Sequence, residues 1–250
     1  MTEILAVNGL TRLFGGFRAV DGVSFTVRSG SIHAVIGPNG AGKTTLFRLL
    51  TGVLRPSAGE VRFQGTPISG RRPYAIARLG LAQAFQITNV FLRLTVLESV
   101  QTAILVRLRR SLDFATFFHA SAAVREEALE LLERLGLADM RGAEARTLSH
   151  GDQRALEVAL ALATRPSLLL LDEPTAGMSP FETERTVAMV QQLTRDQKLT
   201  VLFSEHDTDV VFGISERITV MHRGRVIAEG PPAAIRDNPE VVAVYLGADT

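Results

Sequence analysis

Short runs of alternating apolar and polar residues, separated by glycine-containing turns, dominate the N-terminal part of the chain. The runs Ile4 to Leu10 and Val23 to Val27 alternate or nearly alternate, and Glu60 to Phe63 repeats the pattern. Alternation with a period of two is typical of strands that bury one face. These three runs therefore predict an antiparallel β layer beside a main sheet.

Three further runs are almost continuously apolar: Ser31 to Ile36, Leu168 to Leu171 and Thr200 to Ser204. Strands of this kind are typical of a sheet that is covered on both faces. The segment Lys43 to Leu50 follows the first run and places leucines at helical spacing. A hairpin is predicted from Ile218 to Glu229, around an Arg-Gly turn. Together these patterns predict an α/β fold.

Helical periodicity replaces the strand patterns from about Thr95 to Leu135. Apolar residues recur there three and four positions apart, at Val124, Ala128, Leu131, Leu132 and Leu135. We expect a helical subdomain at approximately residues 95–165, inserted within a single domain over residues 1–250. Short helices are expected in a C-terminal tail at approximately residues 230–250.

Composition narrows the class of protein. A chain of 250 residues with 46% hydrophobic residues can bury one large α/β core, and its net charge of +1 argues against a dedicated nucleic-acid binder. The absence of cysteine excludes disulfides and thiolate chemistry. The N-terminus has no secretory signal pattern, and the apolar runs are too short to span a bilayer. We therefore expect that any membrane role depends on a partner.

A glycine-rich loop lies between the first continuous apolar run and the helix that follows it. Gly37 to Thr45 fits the pattern G-x-x-x-x-G-K-[ST], whose glycines let backbone N–H groups surround a triphosphate at a helix N-terminus. Lys43 would neutralise the β- and γ-phosphates, and the Thr44 hydroxyl would complete a Mg²⁺ shell. A chance surface turn is the alternative, and the flanking strand and helix argue against it. The residues predicted to bind ATP here are Asn39, Gly40, Ala41, Gly42, Lys43, Thr44 and Thr45.

Two adjacent carboxylates follow the apolar run that ends at Leu171. Asp172 would hold Mg²⁺ through its water shell, and Glu173 would polarise an attacking water. A simple Asp-Glu-Pro turn is the alternative. His206, at the end of the next run, is a candidate γ-phosphate sensor. The remaining histidines are expected to be structural: His33, His119, His150 and His222.

Two further positions have both a structural and a functional interpretation. Ser149, with Asp152 three residues later, matches a helix-capping pattern, and a capped helix N-terminus beside Gly151 is also a phosphate site for a nucleotide on another subunit. Phe14 precedes two glycines and is placed to offer an aromatic face to an adenine. An exposed or half-buried phenylalanine of the core is the alternative there.

These motifs, in this order, resemble an ABC-transporter ATPase subunit over essentially the whole chain. The resemblance implies a P-loop NTPase fold of the ABC nucleotide-binding type, which hydrolyses ATP with Mg²⁺. It also implies a role for each motif residue. These are Gly37 to Thr44 as the Walker A loop, Gln86 as the Q-loop metal ligand, Leu148 to Asp152 as the signature with Ser149 and Gly151, Asp172 as the Walker B aspartate, Glu173 as the catalytic base, His206 as the switch histidine and Phe14 as the adenine-stacking residue.

The resemblance also implies partners. Two such subunits, identical or different, dimerise head to tail, so that each ATP lies between Walker A of one and the signature of the other. Permease subunits hold the dimer at the cytoplasmic face of the membrane, and an extracytoplasmic solute-binding protein acts with them indirectly. The apolar cluster at residues 90–92, just after Gln86, is expected beside a groove for a permease helix.

Three segments resemble the ATPases of branched-chain amino-acid uptake: Phe14 to Val20, Asp172 to Met178, and Asn238 to Gly247. ATPases of urea uptake and lipopolysaccharide export share parts of this pattern and remain alternatives. A soluble ABC protein and a P-loop small-molecule kinase are less favoured, because they explain fewer of the motifs together.

Two residues depart from the family pattern. Asp152 stands where glutamine is common, and Ser179 stands where many ABC ATPases carry an aspartate that communicates between sites.

Overall fold

The computed structural model describes residues 2–84, 92–108 and 122–246. Its strands form a four-stranded antiparallel sheet and a six-stranded sheet. In chain order the elements are β1 (Glu3–Phe14), β2 (Phe17–Arg28), β3 (Ile32–Ile36), α1 (Lys43–Leu50), β4 (Ala58–Phe63), β5 (Thr66–Pro67), α2 (Pro73–Ala77), β6 (Leu81–Ala84), α3 (Val96–Arg107), α4 (Ala122–Arg134), α5 (His150–Ala163), β7 (Leu168–Asp172), α6 (Pro180–Gln197), β8 (Thr200–Ser204), α7 (Thr208–Ile214), β9 (Arg217–His222), β10 (Arg225–Gly230), α8 (Pro232–Arg236) and α9 (Pro239–Leu246).

The antiparallel layer has the strand order β2-β1-β4-β5, and its first two strands are longer than the sequence pattern predicts. The pairing of β1 with β2 shifts register between Val7 and Leu10, where Gly9 has a positive φ of 57°. Such a bulge interrupts the alternation of side chains without ending the strand. For this reason β1 continues past the predicted end at Leu10 to a hairpin turn at Gly15 and Gly16.

The six-stranded sheet has the order β10-β9-β3-β8-β7-β6. Five of its strands run parallel, and β10 pairs antiparallel with β9. Ser204 at the end of β8 aligns with Val35 on one neighbour and with Asp172 on the other. The carboxyl ends of three central strands therefore meet at one edge of the sheet, which is where open α/β sheets bind ligands.

The continuous apolar runs are buried on both faces of this sheet. In β7, Leu168 and Leu170 face the antiparallel layer and α1, whereas Leu169 and Leu171 face the helices on the other side. All four are fully buried. Because both faces need apolar side chains, this strand shows no alternation.

The middle of the chain is helical, as its periodicity predicts. Helices α3, α4 and α5 pack against one another, and the five apolar residues predicted for the helix face of α4 and its end are all buried. Glu127 on α4 accepts hydrogen bonds from Arg107 on α3 and from Arg165 after α5. Within the ranges that the structure describes, no helix is both long and apolar enough to cross a bilayer.

Candidate active site

The glycine-rich loop joins the buried strand β3 to α1, whose bounds match the predicted Lys43 to Leu50. Gly42 is the N-cap of α1, with φ of 102°, and a Cβ there would collide with the backbone oxygen of Ala19. A Cβ on Gly37 would collide with the backbone oxygen of Met221. Glycine is therefore required at both positions by the approach of neighbouring backbone. The loop leaves the first N–H groups of α1 directed at the space before the helix.

Lys43 lies in the first turn of α1 and is 5% exposed. Its Nζ donates to the backbone oxygen of Gly37 at 2.6 Å and to that of Pro38 at 3.4 Å. Burial lowers the pKa of this ammonium, and the nearby carboxylates of Glu173, Asp172 and Glu205 partly oppose that shift. A buried cation facing three carboxylates is suited to receive a polyanion together with a divalent cation. Thr44 is exposed at the same helix end, and Thr45 is half-buried.

Asp172 ends β7 at the edge of the sheet beside this loop. Its Oδ1 accepts a hydrogen bond of 2.6 Å from the Ser204 hydroxyl on β8. That bond fixes the orientation of the carboxylate, as partners of metal ligands commonly do. Oxygen donors such as this carboxylate and the Thr44 hydroxyl suit Mg²⁺, which retains several waters and phosphate oxygens in nucleotide sites. Among the described residues, no cluster of three or more His, Cys, Asp or Glu side chains could hold a metal by itself.

Glu173 and His206 form a direct pair. The Nε2 of His206 lies 2.5 Å from Oε1 of Glu173, and both side chains are partly exposed. Glu173 has a positive φ of 53°, which is unusual for a residue other than glycine, and its N–H donates to the backbone oxygen of Ser204 at 3.1 Å. Strained backbone of this kind is concentrated at functional sites. The structure thus brings together the two residues predicted to be catalytic, at the ends of adjacent strands.

Glu205 lies beside the Glu173–His206 pair, and the sequence patterns did not single it out. Its carboxylate is buried, with Oε1 accepting from the N–H and hydroxyl of Thr175 and Oε2 accepting from the N–H of His206. It therefore joins the loop after Glu173 to the loop that carries His206. The only sequence signal was a carboxylate at the end of an apolar strand, next to a histidine. The neighbouring residues do not distinguish this buried carboxylate from one in a solvent-exposed turn.

Phe14 lies at the tip of the β1–β2 hairpin and is 44% exposed. This exposure fits both base stacking and the alternative of an exposed or half-buried phenylalanine at the edge of the core. Its cross-strand partner is Phe17, and the guanidinium of Arg12 lies 4.7 Å from the centre of its ring. One aromatic face next to a cation is a suitable platform for a base. Stacking on adenine stays a prediction.

Ser149 caps α5, and its hydroxyl accepts from the N–H of Asp152. Ser149 and Gly151 line a cleft of about 730 Å³ between α5 and α6, apart from the cavity that contains Asn39, Gly40 and Ala41. The structure therefore does not place the predicted signature residues with the loop of the same chain. A site that contains both the glycine-rich loop and the signature residues therefore needs two subunits of this kind.

The C-terminal tail packs on the glycine-rich loop. A cavity of about 460 Å³ lies between residues 38–41 of the loop and Glu240, Ala243 and Val244 of α9. Burial raises the pKa of the Tyr245 phenol to about 12, and a hydrogen bond with the backbone of Gly37 partly opposes that shift. The sequence patterns predicted helices here but no contact with the loop.

Some predicted positions fall outside the described residues. Gln86 and residues 90 and 91 of the apolar cluster are not described, whereas Leu92 is described and is 39% exposed. Of the histidines expected to be structural, His119 also lies outside. His33 is completely buried on β3, and its Nε2 is 2.8 Å from the Thr219 hydroxyl.

Comparisons with known proteins agree with this geometry. A family model described as ABC transporter matches residues 20–176, and one described as branched-chain amino acid ATP-binding cassette transporter matches residues 225–250. The high-affinity branched-chain amino acid transport ATP-binding protein LivG of Salmonella typhimurium is 40% identical, over 98% of each chain. BraF of Pseudomonas aeruginosa, with the same description, is 41% identical, over 98% of each chain. The crystal structure of an ABC-transporter cassette in its ADP conformation superimposes with a TM-score of 0.85 at 31% identity, covering 99% of this chain and 100% of that one.

Proposed function

The chain belongs to the ABC transporter family of ATP-binding subunits, and from that premise we propose that it powers the uptake of branched-chain amino acids across a membrane. One observation carries the proposal: Lys43, Asp172 and the Glu173–His206 pair meet at one edge of the sheet. The substrate class is supported by the family match over residues 225–250 and by the descriptions of the relatives.

Nucleotide binding rests on the loop and Lys43. The N–H groups at the start of α1 bind phosphate oxygens, and Lys43 exchanges the carbonyl oxygens of Gly37 and Pro38 for the β- and γ-phosphates. Mg²⁺ would be held by Thr44 and Asp172, with Gln86 as a further ligand, and would supply charge neutralisation to the triphosphate. Phe14 stacks on the base.

Hydrolysis rests on Glu173 and His206. The Glu173 carboxylate orients a water molecule and accepts its proton as the water oxygen bonds to the γ-phosphorus. The bond from this phosphorus to the β–γ bridging oxygen breaks, and ADP leaves. His206 donates a hydrogen bond to the γ-phosphate oxygens, where negative charge is stabilised in the transition state. The two side chains are in direct contact at the strand ends, and Glu205 accepts a hydrogen bond from the backbone of His206.

The second half of each site comes from a partner subunit. Because Ser149 and Gly151 open on a different cleft from the loop, we propose a head-to-tail dimer in which they contact the γ-phosphate bound by the partner. The dimer would bind permease subunits and so lie at the cytoplasmic face of the membrane.

Glu173→Gln and Lys43→Ala separate hydrolysis from binding. Glu173→Gln keeps the shape and hydrogen bonding of the side chain but removes the base, so we expect turnover to fall about 10²- to 10⁴-fold while MgATP still drives dimer formation. Lys43→Ala removes the charge that binds the triphosphate, so no MgATP-dependent dimer is expected. Mass photometry with MgATP and a phosphate-release assay measure the two effects. Glu184→Gln, on the exposed side of α6, is the matched control and is expected to behave like the parent.

Two outcomes would contradict these roles. One is hydrolysis at the parent rate by Glu173→Gln, and the other is a dimer of Lys43→Ala at the same ATP concentration as Glu173→Gln. The substrate class is tested separately, in vesicles that contain the assembled transporter. ATP-dependent uptake of leucine supports the proposal, and uptake of urea but not leucine overturns it.

A further inference from the structure

The hydroxyl of Ser149 is engaged within its own chain. It donates to Oδ2 of Asp152 at 2.6 Å and accepts from the Asp152 N–H at 3.2 Å. A serine hydroxyl has a single proton, so a proton given to Asp152 is not available to a phosphate oxygen. Asp152 is 8% exposed, and its carboxylate lies at the end of α5 that would face the partner's nucleotide. Its charge both holds the Ser149 proton and repels a triphosphate.

Arg185 on α6 provides a cation at this point. Its Nη1 lies 3.5 Å from Oδ1 of Asp152, and its Nη2 donates to the backbone oxygen of Gly136 at 3.1 Å. A Cβ on Gly136 would lie 2.5 Å from that Nη2, and the positive φ of 68° there also favours glycine. Arg185 therefore connects the end of α4, the beginning of α5 and α6.

The beginning of α6 lies against the same end of α5. Ser179 and Glu182 form a capping box at the N-terminus of α6, and the hydrogen bonds from Ser179 lower the pKa of the Glu182 carboxyl. A Cβ on Gly151 would lie 2.7 Å from Oε1 of Glu182. Two carboxylates, Asp152 and Glu182, thus border the predicted signature, and Arg185 is the cation that pairs with the first of them.

We propose that Arg185 is a positioning residue of the ATP site: it compensates the charge of Asp152, so that this end of α5 can receive the γ-phosphate bound by the partner subunit. The proposal rests on the head-to-tail dimer described above. It also explains how an aspartate can replace the common glutamine in the signature, because the charge of Asp152 is compensated from α6.

The test uses the Glu173→Gln protein, in which MgATP is expected to trap the dimer. Arg185→Gln removes the charge but keeps a donor for the Gly136 oxygen, and Arg185→Ala removes both. The ATP concentration at half-maximal dimer formation is expected to rise about five- to tenfold in each, the effect of one uncompensated charge near a partly solvated phosphate. Adding Asp152→Asn to either variant is expected to return that concentration to within about twofold of the starting value. Arg195→Ala, exposed near the other end of α6, is the matched control and is expected to have no effect.

A second measurement separates this role from a structural one. Binding of a fluorescent ATP analogue to the monomer uses the loop of the same chain, so Arg185→Gln is expected to leave it unchanged. The proposal is overturned if Arg185→Gln dimerises at the original ATP concentration, or if Asp152→Asn fails to restore dimerisation. It is also overturned if only Arg185→Ala has an effect, because the hydrogen bond to Gly136 would then be the cause. A Glu173→Gln protein that never dimerises with MgATP would contradict the proposed function itself, and the Arg185 proposal with it.

Discussion

The proposed ATP site has two halves, one around the glycine-rich loop and one around Ser149, and they are held in place by different means. Around the glycine-rich loop, backbone packs directly against backbone, and the strand and helix on either side are buried in the core. Around Ser149, the contacts are between side chains at a partly exposed cleft: an ion pair to Arg185, a capping box and a serine hydroxyl. The first half is fixed when the chain folds. The second is held by polar contacts, each of which contributes little near solvent and can rearrange when a partner binds.

Alanine substitution at one glycine in each half tests this contrast most strongly. Gly42→Ala forces a side chain to a positive φ and against the backbone of Ala19, so we expect a loss of more than about 3 kcal/mol in the free energy of unfolding and loss of ATP binding. Gly151→Ala meets only the end of the Glu182 side chain, which can move, so we expect a loss of less than about 1 kcal/mol. Urea denaturation and ATP binding measure both. Equal losses at the two sites would remove the distinction between the halves.

The pH dependence of stability sharpens the comparison, because β3, which leads into the glycine-rich loop, carries a fully buried histidine. Burial lowers the pKa of His33 on β3 to about 3, with a smaller effect from Arg217. Below the unfolded pKa of about 6.5 the unfolded chain binds a proton that the folded chain does not, so stability is lost as the pH falls from about 6.5 towards 3. At pH 5 the contribution of His33 is a loss of about 2 kcal/mol, at about 1.4 kcal/mol per pH unit.

The measurement is urea denaturation between pH 7 and pH 5. His33→Gln retains an amide that can bond to Thr219 but cannot titrate, so it is expected to lose about 2 kcal/mol less than the parent over this range. His150→Gln, exposed at the beginning of α5, is the control for the signature half and is expected to follow the parent. Parallel curves for the parent and His33→Gln would show that His33 does not titrate in this way.

The smallest expected effect concerns Phe14, an exposed residue in the half of the site around the glycine-rich loop. Phe14→Ala is expected to weaken ATP and GTP binding alike by about 1–2 kcal/mol, because stacking on an aromatic ring discriminates little between bases. Equilibrium binding of both nucleotides measures it, with Tyr74→Ala, an exposed aromatic residue on α2, as the control. Unchanged affinities would exclude Phe14 as the base platform, and a change for ATP alone would require a hydrogen-bonding contact to adenine.

The same contrast explains what the sequence could predict. The strand, loop and helix around Lys43 are consecutive in the chain, so their pattern predicted the site and the bounds of α1. Glu173 and His206 were also singled out as candidate catalytic residues, because each follows a buried apolar strand. Their close contact was not predicted, since it depends on the parallel pairing of β7 with β8.

Contacts between distant parts of the chain carry little local signal. Glu205 and Arg185 contact residues on other elements, and neither lies in a pattern that distinguishes it from a surface charge. Strand β6, of only four residues, is set by its pairing with β7 and has no β-branched residue to mark it. The eight predicted strands of the two sheets needed only their own residues, whereas these features needed the tertiary fold.

The position of Tyr245 gives the protein a built-in optical probe. The chain has no tryptophan and two tyrosines, Tyr74 and Tyr245. Tyr74 lies on α2, whereas the Tyr245 hydroxyl meets the backbone of Gly37, the residue whose carbonyl oxygen accepts from Lys43. In a Tyr74→Phe protein, all intrinsic ultraviolet fluorescence above that of phenylalanine would come from one ring beside the loop. Movement of the loop as nucleotide enters would then be followed by emission intensity and anisotropy, without any attached dye.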